Sequence, residues 1–177
     1  MCRIPSDTEP YEFRFRWLAP YPEAVGGDRC NSVETDAGND VILKHEQIQE
    51  TLDGSPAIAH WGLVVTRVDH DEGRVTLRMP FLPHLERGEG SGQFHGGPIA
   101  SLIDVAGDAA IAIYLDGWVP TISLRVDYLR PATGAHLDAH ATVRRRGRTI
   151  GVVDVDVLDE EGRLCAIGRG TYSTIVG

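Results

Sequence analysis

Residues 93–115 read QFHGGPIASLIDVAGDAAIAIYL, and the fold of the chain turns on that stretch. From Pro98 to Leu115 it is apolar nearly all round, which marks a helix inside the protein rather than one laid on its surface. Its polar side chains before Tyr114 are Ser101, Asp104 and Asp108, at spacings that put all three on one helical face. Gly96 and Gly97 precede Pro98, a residue favoured in the first turn of a helix. Adjacent glycines admit a ligand close to the backbone, and free N–H groups at that helix end can hold a developing oxyanion. A carboxylate on a buried helix is costly unless it is paired, hydrogen-bonded or used. Asp104, in the second turn, still feels the favourable end of the helix dipole. Two readings of the aspartates stand side by side: they face a solvated groove or cap a loop, or one of them does chemistry.

Working outward, Leu43, Gln47, Ile48 and Leu52 predict a helix over 44–52, stopped by Asp53-Gly54-Ser55-Pro56. Residues 62–68 and 74–79 read as strands joined by a turn at 69–73, and a polar Gly-rich loop runs from Pro83 to Gly92. Beyond the long helix, residues 121–129 alternate strictly. Ile122, Leu124, Val126 and Tyr128 fall on one face, and Thr121, Ser123, Arg125 and Asp127 on the other. Further strands fit 136–144, 149–158 and 163–175, with turns at Gly147 and at 159–162. Two strands, one long helix and a run of strands lack the strand–helix alternation of a parallel sheet. The pattern predicts an α+β domain over 41–177, an antiparallel sheet wrapped around one central helix. Residues 1–40 stand apart, broken by Pro5, Pro10, Pro20 and Pro22. Within them Tyr11 to Trp17 alternates aromatic and charged, the pattern of a half-buried strand. It belongs either to an arm across a partner subunit or to a strand packed on its own domain.

The chain has 177 residues, 42% of them hydrophobic, enough for one domain without a disulfide or metal staple. A formal net charge of -9 argues against nucleic acid as a partner, because phosphate neutralisation needs a basic surface. No apolar run approaches the roughly 20 residues of a membrane helix, and the first residues lack the apolar core of a signal peptide. Cys2, Cys30 and Cys165 are far apart and odd in number, so they read as thiols of a reducing compartment, with a pairing left open. A cytoplasmic location is the expectation. His136 and His140, four residues apart in a strand, would lie about 13 Å from each other, too far to share a metal ion. Gly88 to Gly92 matches neither a phosphate loop nor a dinucleotide fingerprint, so no cofactor is expected. Arg144-Arg145-Arg146-Gly147-Arg148 holds four of the 17 basic residues in one hairpin. Guanidinium forks match phosphate geometry, and Arg130 is a further candidate for the same group; a solvated turn is the plain alternative.

The ordered set His95-Gly96-Gly97, six residues, Asp104, then Thr121 and Asp127-Tyr128-Leu129-Arg130-Pro131-Ala132, resembles the phenylacetate-type (PaaI-like) branch of the HotDog-fold thioesterases. The Gly147-Arg148 hairpin and the turn from Asp159 to Leu164 also fit that branch. The resemblance covers roughly residues 45–175 and leaves the first forty outside it. It implies an acyl-CoA thioesterase, a homodimer or homotetramer with its sites at the subunit interface. Asp104 matches the carboxylate that activates water or attacks the thioester, and the N–H of Gly96 or Gly97 matches the donor that polarises the carbonyl. Thr121 matches a hydroxyl position that helps to hold the nucleophilic water, acting on the partner subunit's Asp104. His95 would orient the loop or contact substrate. Some members carry Asn or Gln about six residues before that histidine, where Glu89 stands here, and Gln93 is the candidate to take its place in binding substrate. Asp108 is not a usual catalytic position of the family; it either tunes Asp104 or is solvated. Arg130, Arg145, Arg146 and Arg148 would meet the phosphates of coenzyme A, and Tyr114 and Trp118 are candidates to close an acyl tunnel. Two other functions fit the same residues: a 2-enoyl-thioester hydratase or dehydratase using His95, and a non-catalytic acyl-CoA-binding protein.

Overall fold

A computed structural model describes residues 43–115 and 117–175. The strand expected over 11–17 lies outside the described residues. Helices α1 (His45–Gly54) and α2 (Pro56–Ala59) come first, followed by strands β1 (Val64–Asp69) and β2 (Arg74–Pro80). A 3₁₀ turn (Pro83–Leu85) leads through a loop to α3 (Gly96–Ala112). Strands β3 (Thr121–Tyr128), β4 (His136–Arg146), β5 (Ile150–Asp159) and β6 (Leu164–Ser173) complete the domain. They form one six-stranded sheet in the order β1-β2-β4-β5-β6-β3, with every neighbouring pair antiparallel. Helix α3 lies on one face of it, burying Ile99, Leu102, Ile103 and Ile111 in the same core as Val75, Leu77, Leu137 and Val155. This is the α+β arrangement that the order of elements predicts. No helix of the described residues is long and apolar enough to cross a membrane.

Small residues let the helix settle into the sheet. Gly168 and Gly151 leave room for Ile103 and Ile111, and a Cβ at either glycine would collide with those side chains. Gly107 on α3 and Gly170 on β6 enclose the ring of Tyr172, whose hydroxyl donates to the main-chain carbonyl of Asp104 at 3.1 Å. The helix starts at Gly96, two residues before the expected Pro98, because the His95 side chain caps it by accepting from the Gly97 N–H at 3.0 Å. It ends at Ala112 rather than Leu115. The last residues tighten into i→i−3 bonds, and Tyr114 instead donates its hydroxyl to the His70 carbonyl at 2.8 Å.

The strict alternation expected for 121–129 breaks at its start. A bulge between Thr121 and Ser123 sets Thr121 opposite Tyr172, while Ser123, Arg125 and Asp127 lie opposite Thr171, Arg169 and Ile167. The extra residue, Ile122, shifts the phase by one, so Thr121 turns to the helix side with Leu124, Val126 and Tyr128.

The two edges of the sheet differ. Along β1 the side chains of α1 stand in for a missing strand: Gln49 accepts from the Val65 N–H at 2.8 Å and donates to the Leu63 carbonyl at 3.0 Å, and His45 Nε2 bonds the Val65 carbonyl at 2.8 Å. Strand β3, at the other edge, has no such partner among the described residues, and Ile122 and Tyr128 are 56% and 53% exposed. The loop before α3 is organised by Glu86, whose carboxylate accepts from the N–H groups of Gly92 at 2.6 Å and Gly90 at 3.1 Å; these bonds hold it below the usual carboxylate range.

Candidate active site

At the start of α3 only a few N–H groups are free to meet a ligand. The Gly97 N–H is taken by His95, and Pro98 has none, which leaves Gly96 as the first-turn donor without an acceptor among the described residues. Gly96 is also where the backbone must be bare. Tyr128, at the end of β3, donates to the Gly96 carbonyl at 2.7 Å, and a Cβ on Gly96 would meet its ring at 3.3 Å. Of the two candidate glycines, the structure thus distinguishes Gly96 as the free donor and Gly97 as part of the cap.

Half-buried in the middle of the helix, Asp104 accepts a 2.8 Å hydrogen bond at Oδ1 from the Thr121 hydroxyl. Its main-chain carbonyl is held by Tyr172. The resemblance implies that Thr121 acts on the partner subunit's Asp104; here the two residues meet within one chain instead. The bulge at Ile122 is the reason, since it turns Thr121 toward the helix that the preceding loop has just left. Gly96 and Asp104 are eight positions apart, about 12 Å along the helix axis. One chain therefore does not bring its own glycine donor and its own carboxylate to a single carbonyl group.

One turn further on, Asp108 accepts from the Val119 N–H at 3.2 Å. Burial pushes its carboxyl up to about 7; the Val119 bond opposes the rise and the charge of Asp104 adds to it. Gln93 sits in the approach to the helix, with its main chain bridging Thr133 and its side-chain oxygen 3.4 Å from Arg87.

The arginines that look like one group in the sequence are divided. Arg146 stacks over the Tyr114 ring at 4.5 Å, and with Arg148, Leu115 and Thr174 it borders a groove of about 300 Å³ beside the β4–β5 hairpin. Arg145 is exposed on the same hairpin. Arg144 turns to the outer face of the sheet, where it and Arg169 share Asp154. A larger groove of about 340 Å³ lies there, bordered by ion pairs and without the acid–hydroxyl pair of the helix side. Arg130 is placed elsewhere. Its N–H bonds the Cys165 carbonyl at the start of β6, whereas the hairpin meets Thr174 beyond the end of that strand, about 30 Å away. Within one chain Arg130 does not join the hairpin arginines.

Sequence reasoning missed Tyr172 and Tyr128, the two rings that fix the helix at Asp104 and Gly96. A signal for the first existed, because a glycine inside a helix and another inside a strand, Gly107 and Gly170, call for a close neighbour.

The sheet and its enclosed helix match a known group of proteins. A family model described as the thioesterase superfamily matches residues 91–166. A candidate esterase of Halobacterium salinarum is 38% identical over 136 residues, covering 71% of this chain and 88% of its own. The acyl-coenzyme A thioesterase PaaI of Escherichia coli is 32% identical over 112 residues, 62% of this chain and 77% of its own. Among solved structures, a thioesterase from Haemophilus influenzae superposes with a TM-score of 0.66 at 26% identity, covering 77% of this chain and 93% of that one. The chain belongs to the thioesterase superfamily. Within it, this is a PaaI-like protein with the HotDog fold.

Proposed function

We propose that the protein hydrolyses an acyl-CoA thioester to the free acid and coenzyme A, as a homodimer or homotetramer in which each site draws on two subunits. The observation that carries this reading is the Asp104 carboxylate on α3, held at one oxygen by Thr121. That bond leaves Oδ2 to take a proton from water or to attack the thioester carbon itself, the base and nucleophile routes. The carbonyl oxygen would be received by the N–H of the partner's Gly96, since the helix separates the two groups of one chain by about 12 Å. The edge of β3, unpaired among the described residues, supports such an assembly, as a second copy pairing there would lie beside Thr121. The name of the Escherichia coli relative supports coenzyme A as the carrier. Arg146 and Arg148 at their groove, with Arg145 beside them, are suited to its phosphates, and Arg130 would reach those phosphates only from another subunit. Gln93 lies in the loop leading to Gly96 and would contact the substrate there. His95 serves the helix start through its cap, which does not favour the hydratase reading.

Thiol release from a panel of acyl-CoAs tests the proposal, and Asp104→Asn should lower kcat by about 10²–10⁴-fold. Wild-type turnover in that variant would sink the assignment. Incubation with a crotonyl thioester separates hydrolysis from hydration, which releases no thiol.

A further inference from the structure

We infer that Asp108 is the proton donor of the same site, so that Asp104 and Asp108 work as a pair holding one proton between them. This rests on the thioesterase reading above. The two residues are four apart on α3, about 6 Å along its axis and on one face. Both are engaged by the segment that returns from the helix into β3: Val119 donates to Oδ1 of Asp108, and Thr121 donates to Oδ1 of Asp104. Their surroundings nevertheless differ. Both are half-buried, but Asp104 accepts from a hydroxyl, whereas Asp108 accepts from a main-chain N–H among the described residues. Burial favours its neutral form and an ionised Asp104 reinforces that preference. Among the described residues the titratable groups facing it are Asp104 on its own helix and Tyr172 from β6, and residues 117–120 of the return carry no ionisable side chain. A carboxyl kept neutral by burial beside a second carboxylate is suited to act as the acid, leaving its neighbour to act as the base.

The chemistry balances without another reactant. Asp104 takes one proton from water as the water oxygen bonds to the thioester carbon. The tetrahedral intermediate collapses, the C–S bond breaks with its electrons on sulfur, and Oδ2–H of Asp108 gives its proton to that sulfur. The acid keeps the hydroxyl of the water, and the proton held by Asp104 returns to Asp108, which restores the pair.

Asp108→Asn keeps an oxygen to accept from Val119 but has no proton to give. In the full-length protein it should lower kcat/KM on an alkyl acyl-CoA by about 100-fold, and the loss on an S-aryl thioester should be at least about tenfold smaller, because an aryl thiolate leaves without protonation. The fall in wild-type kcat/KM above neutral pH should also vanish in the variant, and Asp108→Glu should recover part of the alkyl activity. Equal losses on both thioesters, or an unchanged pH profile, overturn the proton-donor role. Thermal melts establish that the Asn variant is folded, and Asp108→Glu supplies the same comparison if it is not. Should Asp104→Asn remain fully active, the thioesterase reading itself falls; should only the Asp108 results fail, that reading stands.

Discussion

Thr121 shows how much one hydroxyl is asked to do. It anchors one oxygen of Asp104 and marks the point where β3 turns inward. Thr121→Ala should reduce kcat/KM about tenfold, the cost of one hydrogen bond to a charged group, while Thr121→Ser retains most of the rate. Asp108 carries a second consequence at this scale, in stability. Burial pushes its folded carboxyl up to about 7, above the ordinary aspartate value of about 3.9, so between those limits the native state binds more protons there than the unfolded chain. The contribution of Asp108 to stability therefore falls as pH rises through that window, by up to about 4 kcal/mol at its upper end. Asp108→Asn removes the dependence. Denaturant titrations at pH 4 and pH 8 should show a gap in its favour that widens with pH, and a gap that stays constant would contradict the buried neutral carboxyl.

Among the elements, α3 was the most legible from sequence, because an apolar run bounded by Gly-Gly-Pro has few other places to go. The strands of the meander also followed from their period. What the period could not reveal is a change of phase, and β3 contains one: the bulge at Ile122 depends on which residues of β6 lie opposite. For that reason alternation grouped Thr121 with Ser123, and the contact with Asp104 in the same chain stayed hidden. The arginines show a similar limit: adjacency in sequence says nothing about which end of a sheet, or which face, a side chain occupies, and the structure puts Arg144 on the outer face and Arg130 away from the hairpin within one chain. The tight seat of Tyr172 gives the prediction proper to this scale. Gly107→Ala places a methyl group against the ring and should cost about 1–3 kcal/mol in chemical denaturation. Because the same ring holds the Asp104 carbonyl, hydrolysis should drop along with stability.

For the molecule as a whole, the proposed two-subunit site would tie activity to association, because Gly96 and Asp104 lie about 12 Å apart along one helix. Lysine at the exposed edge positions Ile122 and Leu129 should lower the assembled fraction in sedimentation, and specific activity should fall with it and recover as protein concentration rises. A fully active monomer would refute the shared site. The other edge sets a limit on the same process. With Gln49 and His45 covering the start of β1 at Leu63 and Val65, a sheet that gained one neighbour through β3 would meet a partly covered border on both sides. In the proposed assembly, growth by edge addition would be disfavoured beyond two chains, which would guard a β3 edge left unpaired among the described residues against seeding a fibre.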